Sequence, residues 1–401
     1  MIKNRHGVYY VVIKYRDMTG KQREKWYKSG TNYRDAQKLE HKMMAARDDG
    51  APIIAKTDMP TAKEFFDEWL ETAIKPPAKS GGTYDNYMTC TNKACQYIGK
   101  TPLDKITPLQ LTKMYRSLLH TSHLSITYVR MIHRVLRTAF NTAIRWNILA
   151  HNPCLSADVP APAPSPAKAL DKDQAVAFLH QSAQLSPLAH IIVALGILCG
   201  LRDAEQCGLR WRDYDPETGR LHIQHNLNVR ILKNVDMSQY EYCRPCGKKF
   251  MFLDKVKTKA SNNTIVLPMY VQKLFKQQHF MYNIAKMKFG PSFHDDGFIL
   301  CNDIGIPKNP QFIYDTVQRV WRAYNNAYPE TPLPKIRAHD LRHTAATLLL
   351  EENIDIKYVS RQLRHSSTVI TQNLYQHVTD KAASRTADAM DRLLDEARLH
   401  G

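Results

Sequence analysis

The spacing of apolar positions divides this chain into stretches of different period. GVYYVVIKYRDMTGKQREKWYKSG, from Gly7 to Gly30, is rich in valine, isoleucine and tyrosine, with Thr19 and Gly20 where a turn belongs. That pattern predicts strand, turn, strand. Ala36, Leu39, Met43 and Ala46 follow helical spacing and predict a helix over one face of the hairpin, in a module ending near Gly50, Ala51 and Pro52. From Thr57 to Val159 the pattern is helical throughout. Thr61 with Glu64, and Thr107 with Gln110 behind Pro108, make two capping boxes. Tyr84, Tyr87, Met88, Cys95 and Ile98 trace an apolar stripe closed by Gly99. Val129, Ile132, Leu136, Phe140 and Ala143 predict the buried side of a further helix.

VPAPAPSPAK, 159 to 168, cannot continue a helix and predicts an extended, semi-rigid linker. Beyond it come two helices, the second PLAHIIVALGILCG. Strand-like RLHIQHNLN and DKVKTKASNNTIVLP follow, and helices run from Pro310 to the end. No internal repeat is apparent.

Composition narrows the partner. Hydrophobic residues are 43% of 401, which is globular, and 56 Lys plus Arg against 38 Asp plus Glu give +18. Such an excess favours a polyanion. No apolar run reaches membrane-spanning length, and MIKNRHGVYY lacks the order of a signal peptide, so nucleic acid is preferred over a membrane surface. The eight scattered cysteines are expected to be reduced thiols. Lys21, Arg23 and Lys25 alternate, as do Lys14 and Arg16 across the turn, which predicts a sheet with one basic face. Arg130, Arg134, Arg137 and Arg145, with Asn141, line a second face of their helix with almost no acid beside them. Phosphate contact is preferred there over a merely solvated face.

AHDLRHT, 338 to 344, sets His339 and Arg342 three apart on one helical face, and Asp340 and His343 likewise. A metal or anion site competes with a polar helix start. No acid-rich shell or third ligand occurs at suitable spacing, whereas other cationic groups do. CGLRDAEQCGLRW presents Arg202 and Glu205, KVKTKAS presents Lys257, and LRHSSTVITQNLYQHV presents His365 and Tyr375. GLRxxE, HxLRHT and the HSS…Y block, in this order with a lysine hairpin between, resemble the tyrosine recombinase (phage integrase) family.

The resemblance spans the whole segment after the linker. It implies a multidomain, mainly α protein with small β-sheets. Residues 1–55 would be an arm-site DNA-binding module of hairpin and helix, and 57–160 a helical core-site DNA-binding domain. Residues 165–401 would be an α+β catalytic domain. It implies site-specific recombination of a phage or conjugative element, with Tyr375 as nucleophile and a 3′-phosphotyrosyl intermediate. Arg202 and Arg342 would hold the scissile phosphate, with His339 and His365 adding hydrogen bonds. Lys257 would protonate the leaving 5′ hydroxyl, chosen over Lys255 and Lys259 by the family's KT pattern. Glu205 would orient the others.

The charge logic agrees independently. A pentavalent phosphorane gains negative charge, and arginine's planar fork matches its oxygens. Neither a cofactor nor ATP is implied. The implied partners are double-stranded attachment sites of core and arm type, a homotetramer on DNA, and an excisionase or DNA-bending protein. The implied setting is the bacterial cytoplasm, on the nucleoid. A type IB topoisomerase would share the chemistry without an arm-binding hairpin, and an architectural DNA-binding protein would have a decayed site.

Departures from the pattern remain. Arg364 stands where the family usually has glycine before the histidine, so it either strains a tight turn or adds a phosphate contact. SNNTIVLP lacks the usual basic residues. Cys243 and Cys246, in CRPCGKK, form half of a zinc ribbon with no second close pair, so two reduced thiols in a turn are preferred over zinc. Ala387, Met390, Leu393, Leu394 and Ala397 predict a terminal helix that caps its own domain or docks on a neighbouring protomer.

Overall fold

A computed structural model describes residues 1–16, 22–48, 59–76, 78–161, 169–231, 240–255 and 263–364. The chain divides into two compact units, Met1–Pro164 and Ser165–Gly401. The expected turn at Thr19–Gly20 lies outside the described residues, as do Lys21, Lys257, Lys259, His365, Tyr375 and the terminal helix.

The N-terminal sheet has one strand more than expected: β1 (Ile2–Arg5), β2 (Val8–Arg16) and β3 (Gln22–Gly30), in that order. The added strand, IKNR, is too short and polar to announce itself by alternation. Helix α1 (Tyr33–Asp48) packs on the sheet through Ala36, fully buried, and through a Tyr9–Tyr33 ring contact. The register corrects the expected single basic face. Lys14 pairs with Glu24 and Arg16 with Gln22, whereas Arg23 pairs with Tyr15 and Lys25 with Ile13. Cross-strand partners share a face and neighbours alternate, so the two basic sets occupy opposite faces. Lys14 Nζ instead lies 3.6 Å from Glu24. Trp26 is flanked by Lys3 Nζ at 4.8 Å and Arg5 Cζ at 4.4 Å from its ring centre.

The helices after Met59 are α2 (Ala62–Trp69), α3 (Gly81–Ile98), α4 (Pro108–His120) and α5 (Ile126–Arg145). Both capping boxes form: Thr61 Oγ1 accepts from Glu64 N, and Thr107 Oγ1 from Gln110 N. All five residues assigned to the inner face of α5 are fully buried. In α3 the inner face is turned from the expected stripe. Cys90 and Ala94 are fully buried, while Tyr84, Tyr87, Met88 and Cys95 sit at its margin. The large residues cannot all fit beneath the helix, so the small ones take the closest approach.

The C-terminal unit is built around α7 (Pro187–Ile197), whose residues from Ala189 to Ile197 are all buried. Around it stand α6 (Lys172–Leu185), α8 (Asp203–Gly208), α9 (Met269–Phe289), α10 (Pro310–Ala327), α11 (Ala338–Glu351) and α12 (Ile356–Gln362). Two three-stranded antiparallel sheets flank the helices. One orders β4 (Tyr214–Asp215), β5 (Arg220–Ile223) and β9 (Asn263–Val266); the other orders β6 (His225–Arg230), β8 (Lys249–Lys255) and β7 (Cys243–Cys246). RLHIQHNLN thus splits at Gln224 and serves both sheets.

Two close approaches bring the motif segments together. A Cβ on Gly196 of α7 would stand 2.9 Å from Leu341 Cδ1 of α11. One on Gly200, where φ is +64°, would meet Leu363 Cδ2 at 2.3 Å. A side chain at either place would have to displace a leucine, and at Gly200 the left-handed backbone disfavours one as well.

Candidate active site

AHDLRHT is the start of α11. Arg337 precedes it and makes a two-pronged pair with fully buried Asp340, Nε to Oδ2 at 3.1 Å and Nη2 to Oδ1 at 2.8 Å. Asp340 Oδ2 also accepts the Arg337 backbone N–H at 2.8 Å, so this acid fastens the helix start. Thr344 Oγ1 donates to the Asp340 carbonyl and accepts the Leu170 N–H, each at 3.0 Å. That bond ties the chain leaving the linker to α11.

Arg342 points the other way, into the protein, and is 1% exposed. Its Nη1 donates to the Gly200 carbonyl at 2.6 Å, and its Nη2 donates to the Leu363 carbonyl. Arg202 lies at the mouth of the same centre, with its side chain about one third exposed. Its Nη1 donates to Glu205 Oε1 at 2.6 Å, and its backbone N–H donates to Oε2 at 2.9 Å. Glu205 is 1% exposed and sits 4.0 Å from Arg342 Nη1. A third guanidinium completes the shell, since Arg364 Nη2 donates to Glu205 Oε2 at 2.7 Å.

Three arginines thus surround one buried carboxylate. Burial disfavours the Glu205 carboxylate, but Arg364, then Arg202 with its backbone N–H, and Arg342 hold it below the usual range. Burial, helped by Arg202 and Arg364, pushes Arg342 down to about 9. The cationic excess makes this centre fit for a further anion.

His339 is exposed at the rim. Enough protein surrounds its ring that desolvation, then the Arg342 and Arg202 charges, lowers its pKa. His343 is half-buried with its ring 4.6 Å from that of His339; burial and then His339 push it down to about 4. Both are therefore neutral at pH 7, able to donate from one ring nitrogen and accept at the other.

Of the expected site residues, the structure brings together Arg202, Glu205, Arg342 and His339. Arg364 was noticed only as a departure, and its place in the centre came from its φ of +56° and its burial. Such a non-glycine residue where a glycine turn is expected is the one signal the chain offered.

Cys243 and Cys246 lie on strand β7, half-buried and exposed respectively, rather than in a turn. Three positions apart on a strand, they occupy opposite faces. Among the described residues, no group of three His, Cys, Asp or Glu is placed to hold a metal.

The fold is that of DNA-handling recombinases. The Tn1549 transposon integrase in complex with transposon right end DNA superposes with a TM-score of 0.65 at 21% identity, covering 82% of this chain and 99% of that one. The lambda integrase tetramer bound to a Holliday junction gives a TM-score of 0.57 at 15% identity, covering 93% and 94%. A "Tyrosine recombinase XerC-like" protein of Caldanaerobacter subterraneus subsp. tengcongensis is 25% identical over 351 residues, 83% of each chain. The ICEBs1 integrase of Bacillus subtilis is 25% identical over 316 residues, 78% of each. The model of the phage integrase family matches residues 168–382, more than half of the sequence. The chain belongs to that family: it is a tyrosine recombinase, an enzyme that cleaves and rejoins DNA in site-specific recombination.

Proposed function

We propose that this recombinase is the integrase of a mobile element and that Arg202, Arg342, His339, His365, Lys257 and Tyr375 carry its chemistry. The Tyr375 oxygen attacks the scissile phosphorus while the bond to the 5′ oxygen breaks. The 3′-phosphotyrosyl link conserves the bond energy for rejoining. His339 takes part in moving the tyrosine proton, and Lys257 gives a proton to the departing 5′ oxygen. Arg202 and Arg342, with His365, neutralise the equatorial oxygens as their charge grows. Glu205 holds the arginines in place.

The observation that carries this reading is the buried convergence of GLRxxE and HxLRHT on Glu205. Two motifs about 140 residues apart meet in one cationic centre. Relatives named as integrases of a conjugative element and of phages support the element assignment.

Residues 1–55 act as an arm-site module, 57–160 as a core-site domain and 165–401 as the catalytic domain. The exposed arginines of α5 contact phosphate. The working form is a homotetramer on double-stranded core and arm sites, as the lambda integrase structure is a tetramer on a junction, with an excisionase or DNA-bending protein as accessory. It acts in the cytoplasm; among the described residues no helix is long and apolar enough to cross a membrane.

The test is a nicked suicide duplex carrying the element's attachment site. The natural protein should form a covalent adduct, and Tyr375→Phe should bind the duplex without forming one. An adduct that survives Tyr375→Phe overturns the nucleophile. Relaxation of supercoils at any sequence, without exchange between sites, would favour a topoisomerase.

A further inference from the structure

We propose that Arg364 is a positioning residue of the cleavage centre, holding Glu205 so that Arg342 keeps only a long ion pair with it and makes its hydrogen bonds elsewhere. The inference rests on the phosphate-binding role given above to Arg202 and Arg342.

Its backbone is the first observation. At φ +56° Arg364 occupies the left-handed region, where a side chain is strained and glycine is not. Nothing in a left-handed turn itself calls for arginine. The side chain must supply the compensation.

Its contacts are the second. The side chain is fully buried. Nη2 donates to Glu205 Oε2 at 2.7 Å and lies 3.3 Å from the Gly200 carbonyl, while Nη1 donates to the Gln362 carbonyl at 2.9 Å. This buried arginine is held by three acceptors, those on Glu205 and Gly200 buried and that on Gln362 partly so. It therefore acts through Glu205, a role beyond the strained turn or phosphate contact that the sequence left open.

The division of Glu205 is the third. Oε1 takes the Arg202 guanidinium, and Oε2 takes the Arg202 backbone N–H and Arg364. Arg342 Nη1 stands 4.0 Å from that same Oε2 and donates to Gly200 instead. With Arg364 gone, Oε2 loses its guanidinium and Arg342 is the nearest replacement. Arg342 would swing from Gly200 onto the carboxylate, spending on Glu205 the charge that cleavage needs. Burial makes that collapse strong, because little water competes.

The experiment uses the full chain on the suicide duplex, comparing Arg364→Gly, Arg364→Lys and Arg364→Met for single-turnover cleavage, duplex affinity and pH profile. Arg364→Gly should cleave at least about tenfold more slowly with duplex Kd changed less than about twofold, since the loss is in the transition state. Its acid limb should move upward, because even with Arg342 drawn in the site holds one guanidinium fewer to keep Glu205 ionised. A merely structural arginine would not move that limb. Arg364→Lys should recover part of the rate, and Arg364→Met should not.

In a Glu205→Gln background Arg364→Gly should add little, as expected of residues acting as one unit. Native cleavage and an unmoved acid limb in Arg364→Gly overturn the proposal. If that variant does not fold, the Lys and Met pair decides: equal rates overturn it, and a lysine advantage of about tenfold or more supports it. Arg202→Ala on the same duplex separates the two levels. Its cleaving at the native rate would remove the phosphate role and this inference together. An inactive Arg202→Ala beside a native-like Arg364→Gly would remove this inference alone.

Discussion

Arg130, Arg134, Arg137 and Arg145 on α5 are all exposed, whereas Arg342 and Arg364 are each 1% exposed. The same side chain is thus used in two ways. Among the described residues the α5 guanidiniums form no ion pair, and two of the four make a hydrogen bond, Arg130 to the Pro160 carbonyl and Arg145 to Thr142 Oγ1. Exposed to solvent, they interact with a partner through a field that salt screens. Around Glu205 every terminal guanidinium nitrogen of Arg342 and Arg364 has a carbonyl or carboxylate partner. These are fixed in direction and scarcely screened, at the cost of desolvation. One set suits an unspecific grip, the other a centre in which placement decides the rate.

The comparison is broken most severely by Arg342→Ala. It takes from the buried Leu363 carbonyl its guanidinium donor, leaves the Gly200 carbonyl with Arg364 alone, and leaves Glu205 one arginine fewer. We expect a loss of about 3–5 kcal/mol in unfolding free energy, read by urea titration, together with loss of cleavage. Arg202→Ala sharpens it. Its side chain is partly exposed but is the donor to buried Glu205 Oε1, so unfolding free energy should fall, by less than for Arg342→Ala, while cleavage should fall about 10²–10³-fold, measured under single turnover.

Two pH effects should follow, both confined to the buried centre. His343 has its folded pKa pushed down to about 4, below histidine's usual value, so the neutral form is the native one. Stability should therefore fall as pH drops from about 6.5 toward 4, where unfolded chains take up protons that folded ones refuse. His343→Gln should flatten that slope in urea midpoints. Glu205 is depressed as well, so its contribution is complete above about pH 4.5 and is lost as pH falls toward its lower folded value. Glu205→Gln should remove only that acid step.

The smallest effect belongs to α5. Arg134→Ala should alter stability by no more than about 0.5 kcal/mol. If this arginine meets a phosphate, the slope of log affinity against log salt should shrink by about 0.9. An unchanged slope would return that face to plain solvation.

Legibility in the sequence follows the same division. Helix α5 and both capped starts were readable because their signals are local: period, cap residue and proline position. Cys90 and Ala94 on α3 were missed because close packing favours small residues, which carry weak hydropathy signals. The N-terminal register was misjudged because the two strands' alternation says nothing of their mutual offset. Arg202, Glu205, Arg342 and His339 could be listed from their motifs and chemistry, but not Arg342's burial, since an arginine's depth is set by partners far away in sequence. Arg364 was legible as an oddity and illegible as a partner of Glu205, which lies 159 positions earlier.

That separation bears on how the enzyme is born. The hydrogen bonds of the cationic centre join Gly200 to Arg342, Glu205 to Arg364 and Gly200 to Arg364, across 142 to 164 positions. Long-range contacts of this kind close late, after local helices have formed. A nascent chain still short of Leu363 has Glu205 and Arg202 but neither the carbonyl that steadies Arg342 nor the guanidinium that occupies Oε2. The centre therefore cannot close until residues 363 and 364 have been made.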